Sequence, residues 1–422
     1  MKRYLATAAF AAFIACSIGV YYVQASLERL PQFRLATLSG DAAEGKSLVF
    51  GAMFRNGAYS ERLEITDKGS RYESERSWLE STRANYDGYR RIPSIDRMID
   101  QFPNFMRGNS TADYQDDDWV VRLGLTAEFQ VDSQVLNYGL DMDILDKNTK
   151  RSRTLKVDLP KEGGFNARTI LDVQRTESIL KVAVQLDRID NGKRGRPEVR
   201  VYDVDGTSGQ VLGSTPVEYG MTAAEDQEIL MEAIREYDWT QPSGYLVLDV
   251  SVNSKDAEAF RQTSEGPVAT AYRFTQLVRQ LTVYEYATGD VRIVPLPAAP
   301  ANANDSERTS LYHIGDYGVR FSVDEFGVKM ASYRLADAKL VVETSWTKES
   351  LQAESDIYAR IAGPNRLSLV YPSGGSPNVV LVNPANGEIV YRGAVTLDGV
   401  QDDERAVRLR NVSTGSIFYA QD

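Results

Sequence analysis

Beyond residue 46 the chain is written in short apolar runs, each closed by a turn signal. Ser47-Leu48-Val49-Phe50-Gly51-Ala52-Met53-Phe54 is apolar enough for a buried strand, and residues 59–67 read as its partner. From Trp119 onward one phrase returns: an apolar strand, a turn rich in Asn, Asp, Thr and Gly, and a second apolar strand. It reads as 138–145, Asp146-Lys147-Asn148-Thr149 and 153–159, then as 198–204, Asp205-Gly206-Thr207-Ser208-Gly209 and 210–217. It recurs around Ala287-Thr288-Gly289, around Ala336-Asp337-Ala338 and around Pro384-Ala385-Asn386-Gly387. A last copy is predicted as strand 406–411, turn Ser413-Thr414-Gly415 and strand 416–420. Such turn residues accept a left-handed backbone or supply the side-chain hydrogen bond that a tight hairpin needs.

A propeller blade of four short strands takes roughly 40 to 50 residues, and the turns near 338 and 387 stand one such interval apart. The pattern predicts an all-β chain, a β-propeller of six to eight blades with seven the favoured number. Pairing of the strand near Val49 with the C-terminal strands would close the ring and remove an exposed edge. Stacked β-sandwiches are the alternative, but no linker divides the chain into compartments of their size.

Two stretches break the rhythm. Residues 71–112 read as an insertion, an ordinary crossover or a lid, with a short helix at 92–99 whose Pro93 sits near its first turn. In 220–244, Thr222 followed by Glu225 resembles a capping box, and Ile229, Leu230, Ala233 and Ile234 could form one helical face. A surface helix is therefore predicted over Thr222 to Trp239. Pro295 to Glu307 reads as a surface linker.

The N-terminus differs in kind. Tyr4 to Ala25 carries no formal charge and is long enough to cross a bilayer as a helix. Lys2 and Arg3 precede it, which orients Met1 to the inside. Residues 1–25 are read as cytoplasmic tip and signal anchor, 26–46 as a stalk, and 47–422 as an extracytoplasmic domain. A cleaved signal peptide and a lipid on Cys16 are the competing readings. Cys16 is the sole cysteine, so the exported part has no disulfide.

Composition narrows the function. With 59 acidic against 48 basic residues the net charge is -11, a poor field for nucleic acid. One histidine, His313, leaves little for a histidine-built zinc site or a catalytic triad. No phosphate-binding loop, GxSxG or HExxH is present, so no cofactor is expected. Candidate acid–base groups are Asp141 and Asp143, which would share one strand face, and His313, which would need Asp316 or another carboxylate to orient it. Structural calcium is conceivable at Asp116 and Asp117, or at the loop holding Asp187 and Asp190. Tyr284, Tyr312, Tyr317 and Tyr333 are candidate binding residues, since Tyr joins rigid contact area to a hydroxyl, although Tyr is also an ordinary strand former.

The reading that follows is a membrane-tethered extracytoplasmic scaffold or sensor. It would dock a membrane or cell-envelope protein complex, such as a multi-span one, or an envelope glycan. The alternative is a propeller-type polysaccharide hydrolase or lyase using channel carboxylates.

Overall fold

The computed structural model describes residues 14, 16, 17 and 30–419, apart from 58, 78–92, 108–109, 130–134, 161–164, 191–192, 225–226, 258–261, 264–265, 268–271, 298–307 and 398–401. Most of the predicted span 4–25 and of the predicted linker 295–307 lies outside these residues. Among the described residues no helix is long and apolar enough to cross a membrane.

Strand β1 (Phe33–Gly40) and helix α1 (Ala42–Lys46) precede the strand predicted near Val49, which is β2 (Leu48–Asn56). β2 continues into β3 (Tyr59–Thr66) and β4 (Gly69–Tyr72), and α2 (Pro93–Gln101) follows. The second sheet is β5 (Ala112–Gln115), β6 (Trp119–Phe129), β7 (Val135–Asp146) and β8 (Ser152–Asp158). The third is β9 (Phe165–Thr176), β10 (Ile179–Asp190), β11 (Lys193–Asp205) and β12 (Val211–Pro216). The fourth joins β13 (Gln227–Ala233) and β14 (Tyr245–Ala257) to β17 (Tyr272–Glu285) and β18 (Val291–Leu296). A two-stranded ribbon, β15 (Gln262–Thr263) with β16 (Gly266–Pro267), interrupts it. The fifth is β19 (Arg308–Ile314), β20 (Tyr317–Val323), β21 (Gly327–Arg334) and β22 (Lys339–Thr347), followed by α3 (Lys348–Leu351). The sixth is β23 (Tyr358–Gly363), β24 (Arg366–Ser373), β25 (Ser376–Val382) and β26 (Ile389–Leu397), and the chain ends in α4 (Asp402–Arg410) and β27 (Val412–Tyr419).

Both ends of the chain close this series. β27 pairs with β2, with Val49 opposite Phe418, and supplies the first strand of the first sheet. β1 adds a fifth strand to the sixth sheet by pairing with β26, Phe33 opposite Leu397. Residues 33–46 of the expected stalk therefore belong to the ring. Phe33 and Leu35 point into its core while Arg34 faces out, the alternation a half-buried strand needs.

Among the described residues there are thus six main sheets, inside the predicted range of six to eight, and not the favoured seven. The sequence pattern predicts 406–411 as a strand of a last hairpin. That segment is helix α4, with Leu409 buried and Val407 exposed, and β27 belongs to the first sheet. The recurring turn of the sequence is the link between the third and fourth strands of sheets two to six. Lys150, Gly209, Gly289, Ala338 and Gly387 all take positive φ there, between 56° and 77°. The predicted helix 222–239 is also corrected. Gln227 to Ala233 pairs residue by residue with Ser254 to Leu248, because a hydrogen-bonded neighbour strand outweighs a local capping pattern.

First strands of successive sheets lie side by side, β5 by β9, β19 by β23 and β23 by β27, and make the inner wall. Apolar side chains fill the faces between sheets. Leu123, Met142, Val184 and Tyr202 join the second and third; Val199, Leu248 and Tyr284 join the third and fourth. Leu281, Val283 and Leu335 join the fourth and fifth; Phe321, Met330 and Leu369 join the fifth and sixth; Phe50, Ile65, Leu381 and Tyr391 join the sixth to the first. Complete burial of one such side chain is worth about 2 kcal/mol, so these faces, more than the hairpins, hold the ring.

Candidate functional site

The link between β13 and β14, residues 234–244, does not turn back at once. It crosses the end of the ring where the inner strands finish, and four elements fasten it. Ser94 Oγ of α2 donates to Asp238 Oδ1 at 2.7 Å, and Thr240 Oγ1 lies 2.8 Å from Ser94 Oγ and 2.7 Å from Asp238 Oδ1. Gln115 N, at the end of β5, donates to the Thr240 carbonyl at 2.6 Å. Ser243 N donates to Gln174 Oε1 of β9 at 2.7 Å, and Glu236 Oε1 lies 3.2 Å from His313 Nε2 of β19. Ser94 and Thr240 are completely buried. The two sequence stretches that broke the strand rhythm, 71–112 and 220–244, therefore meet here as α2 and this strap.

Beside the strap lies a cavity of about 370 Å³. Arg97, Glu236, Tyr237, Asp238 and Gln241 line one side; His313, Ile314 and Gly315 of the fifth sheet and Gly363, Pro364 and Asn365 of the sixth line the other. Gly315 and Asn365 hold positive φ in the turns that end β19 and β23, so those strands stop at the cavity wall.

Burial and polarity set the chemistry of this wall. Nε2 of His313 lies 2.9 Å from the Gly315 carbonyl. A carbonyl only accepts, so Nε2 carries the proton. Burial pushes the imidazole down to about 4, which keeps it neutral. Glu236 is pushed up to about 7 by burial, and Asp172, Asp238 and Asp316 add to the rise against a hydrogen bond from Ser243. Asp172 on β9 is pushed up to about 6 by burial, although Tyr286 Oη at 2.8 Å, Gln174 Nε2 and Val173 N all donate to its carboxylate.

Of the candidates named from sequence, His313 alone lines this cavity. Asp316 is exposed in the turn after β19, and the carboxylate that meets His313 is Glu236. Asp141 and Asp143 sit on β7, the third strand of its sheet, with Asp143 accepting from Thr154 Oγ1. Tyr284 packs between sheets edge-on to Tyr286, and Tyr312 donates to the Ala359 carbonyl. Tyr317 and Tyr333 pack against inter-sheet clusters. Asp116 accepts from Asp118 N, Trp119 N, Tyr114 Oη and Arg175 Nη1, while Asp117 is exposed. Asp187 lies 3.9 Å from Arg168; Asp190 pairs with Lys193 at the end of β10, and its side chain lies outside the described residues. Among the described residues no group of three or more His, Cys, Asp or Glu side chains is placed to hold a metal ion.

Sequence reasoning missed Glu236, Asp238, Gln241 and Asn365. It had assigned the first two to a surface helix. The available signal was the need of a lone buried histidine for a polar partner.

No protein-family model and no curated protein matches this chain. Solved structures resemble it weakly. The β-propeller domain of the Trilobed protease from Pyrococcus furiosus is 12% identical, with 81% of this chain and 80% of that one covered and a TM-score of 0.29. The Dos1 propeller is 12% identical over 67% of this chain and 66% of that one, with a TM-score of 0.29. Porphyromonas gingivalis dipeptidyl peptidase 4 is 11% identical over 65% of this chain, with a TM-score of 0.33; the match spans 38% of that protein's length. The six antiparallel sheets fit a β-propeller.

Proposed function

We propose that this chain is a membrane-tethered extracytoplasmic binding propeller that holds an envelope glycan at the strapped end of its ring. The observation that carries the reading is the cavity beside the strap, whose volume lies in the range of small-molecule sites, roughly 300 to 1,000 Å³. Two of its polar groups are engaged in holding the site together. His313 Nε2 faces a backbone carbonyl, and Asp238 Oδ1 takes Ser94 and Thr240. A general base needs a free lone pair within reach of substrate, and neither of these atoms offers one.

Strand direction supports the glycan over a membrane-embedded partner. Asn365 marks the cavity end of the sixth sheet. β24 runs away from it, β25 returns and β26 runs away again, so Leu397 and its partner Phe33 lie at the opposite end. With residues 4–25 in the bilayer and Met1 inside, the seven residues 26–32 span at most about 25 Å. The cavity then opens away from the membrane, toward the envelope.

The competing reading is a polysaccharide hydrolase or lyase. It is favoured by Glu236 and Asp238 facing one cavity with Tyr237 and Arg97. One experiment separates the two. The full-length chain in detergent is incubated with envelope glycan fragments, and bound and released material is analysed by mass spectrometry. Retention of intact fragments is expected, and Asn365→Ala with Gln241→Ala weakens it. Shortened or unsaturated products would overturn the binding reading in favour of the enzyme.

A further inference from the structure

Resting on the glycan reading, we propose that the cavity receives a protonated amino group carried on a sugar ring, so that the ligand is a glycan with free hexosamine residues. Two features of the wall point there. The first is its polar make-up. Gln241, Asn365 and Tyr237 border a space large enough for a sugar unit. Carboxamides both donate and accept, as ring hydroxyls require, and an aromatic face covers the apolar side of a sugar.

The second is an unbalanced charge. Glu236 has its side chain 23% exposed, and its near neighbour His313 is a neutral imidazole. Asp172, Asp238 and Asp316 all act on it. Among the described residues that line this cavity and the pocket beside it, the cations are Arg97, exposed on α2, and Arg235, whose guanidinium lies over the Trp239 ring at 5.5 Å. Two carboxyl groups, Glu236 and Asp238, therefore line the cavity with one guanidinium, Arg97, while Asp172 and Asp316 act on Glu236 from beyond its wall. An ammonium beside Glu236 would restore the balance and draw off the proton that burial and its acidic neighbours keep there. A uronate or phosphate would add to the repulsion. Among the described residues these acids are not gathered as metal ligands.

The test uses the full-length chain in detergent, with a β-1,4-linked glucosamine hexamer and its fully N-acetylated counterpart as probes, followed by titration calorimetry at pH 6.5. The amino hexamer is expected to bind at least about tenfold more tightly than the acetylated one. Its binding should release protons, read from the change in heat between buffers of different ionisation enthalpy. Glu236→Gln keeps the shape and should make the two affinities equal; Gln241→Ala should weaken both alike. Equal or tighter binding of the acetylated hexamer, or a preference that survives Glu236→Gln, overturns the amine assignment and leaves the glycan reading standing. Binding of neither hexamer, nor of any envelope glycan fragment, overturns the glycan reading itself.

Discussion

Replacing Asp238 by Ala tests whether the strap and α2 form one unit. The carboxylate accepts from Ser94 Oγ at 2.7 Å, Thr240 Oγ1 at 2.7 Å and Thr240 N at 3.2 Å, and Ser94 and Thr240 have no solvent exposure. Each hydrogen bond to a charged acceptor contributes about 1.5 to 3 kcal/mol, and a buried hydroxyl left without an acceptor costs about 1 to 3. Ser94 and Thr240 can still bond each other at 2.8 Å, so the losses overlap. A net cost of about 3 kcal/mol follows, which is about a 150-fold rise in local opening. Hydrogen exchange with mass spectrometry reads it in peptides covering 93–101 and 234–244. Both should exchange faster together, while β10 and β25 stay protected. Asp238→Asn keeps an acceptor and should cost about 1 kcal/mol. Unchanged exchange in α2 on Asp238→Ala would refute the coupling, because α2 meets the strap through Ser94.

The turn after β7 holds exposed Lys150 at φ 56°, where three of the five equivalent turns place glycine. Lys150→Gly should therefore raise stability by about 0.5 kcal/mol in chemical denaturation, relief of left-handed strain exceeding the added chain entropy. Gly206→Ala would set a Cβ 2.6 Å from Trp119 Cζ3 and 3.1 Å from the Ser178 carbonyl. Overpacking of this kind costs about 2 kcal/mol, and Trp119 emission should shift, since its ring sits under Arg175 at 4.3 Å and Arg153 at 4.8 Å. Glu236 binds its proton more tightly in the fold, up to about 7 against an ordinary 4.5, so its contribution to stability falls as pH rises through that window. His313 works in the opposite sense, its folded value of about 4 lying below 6.5. Glu236→Gln should gain stability relative to the parent as pH goes from 5 to 7, and a constant difference across that range would refute the assignment.

The sequence by itself determined the strands and the turns between them. Alternation in β1 and β2 and the Asx- and Gly-containing turns at 146–149, 205–209 and 384–387 are local features, set by a few adjacent side chains and by φ. Pairing of the strand near Val49 with the C-terminal strands was legible too, because an apolar strand at each end of the chain needs a partner. What the tertiary structure alone decided was everything that depends on a distant neighbour. Gln227 to Ala233 has a helical pattern and becomes a strand because β14 offers its edge. Residues 406–411 look like a strand, but Asp402–Arg410 form a helix. Glu236 stands 77 positions before His313 and Asp238 stands 144 after Ser94. Nothing local marks either pair, since they meet only when inner strands from separate sheets end on one cavity. Their chemistry follows from that meeting, because burial keeps His313 neutral, and burial together with like charge keeps Glu236 partly protonated.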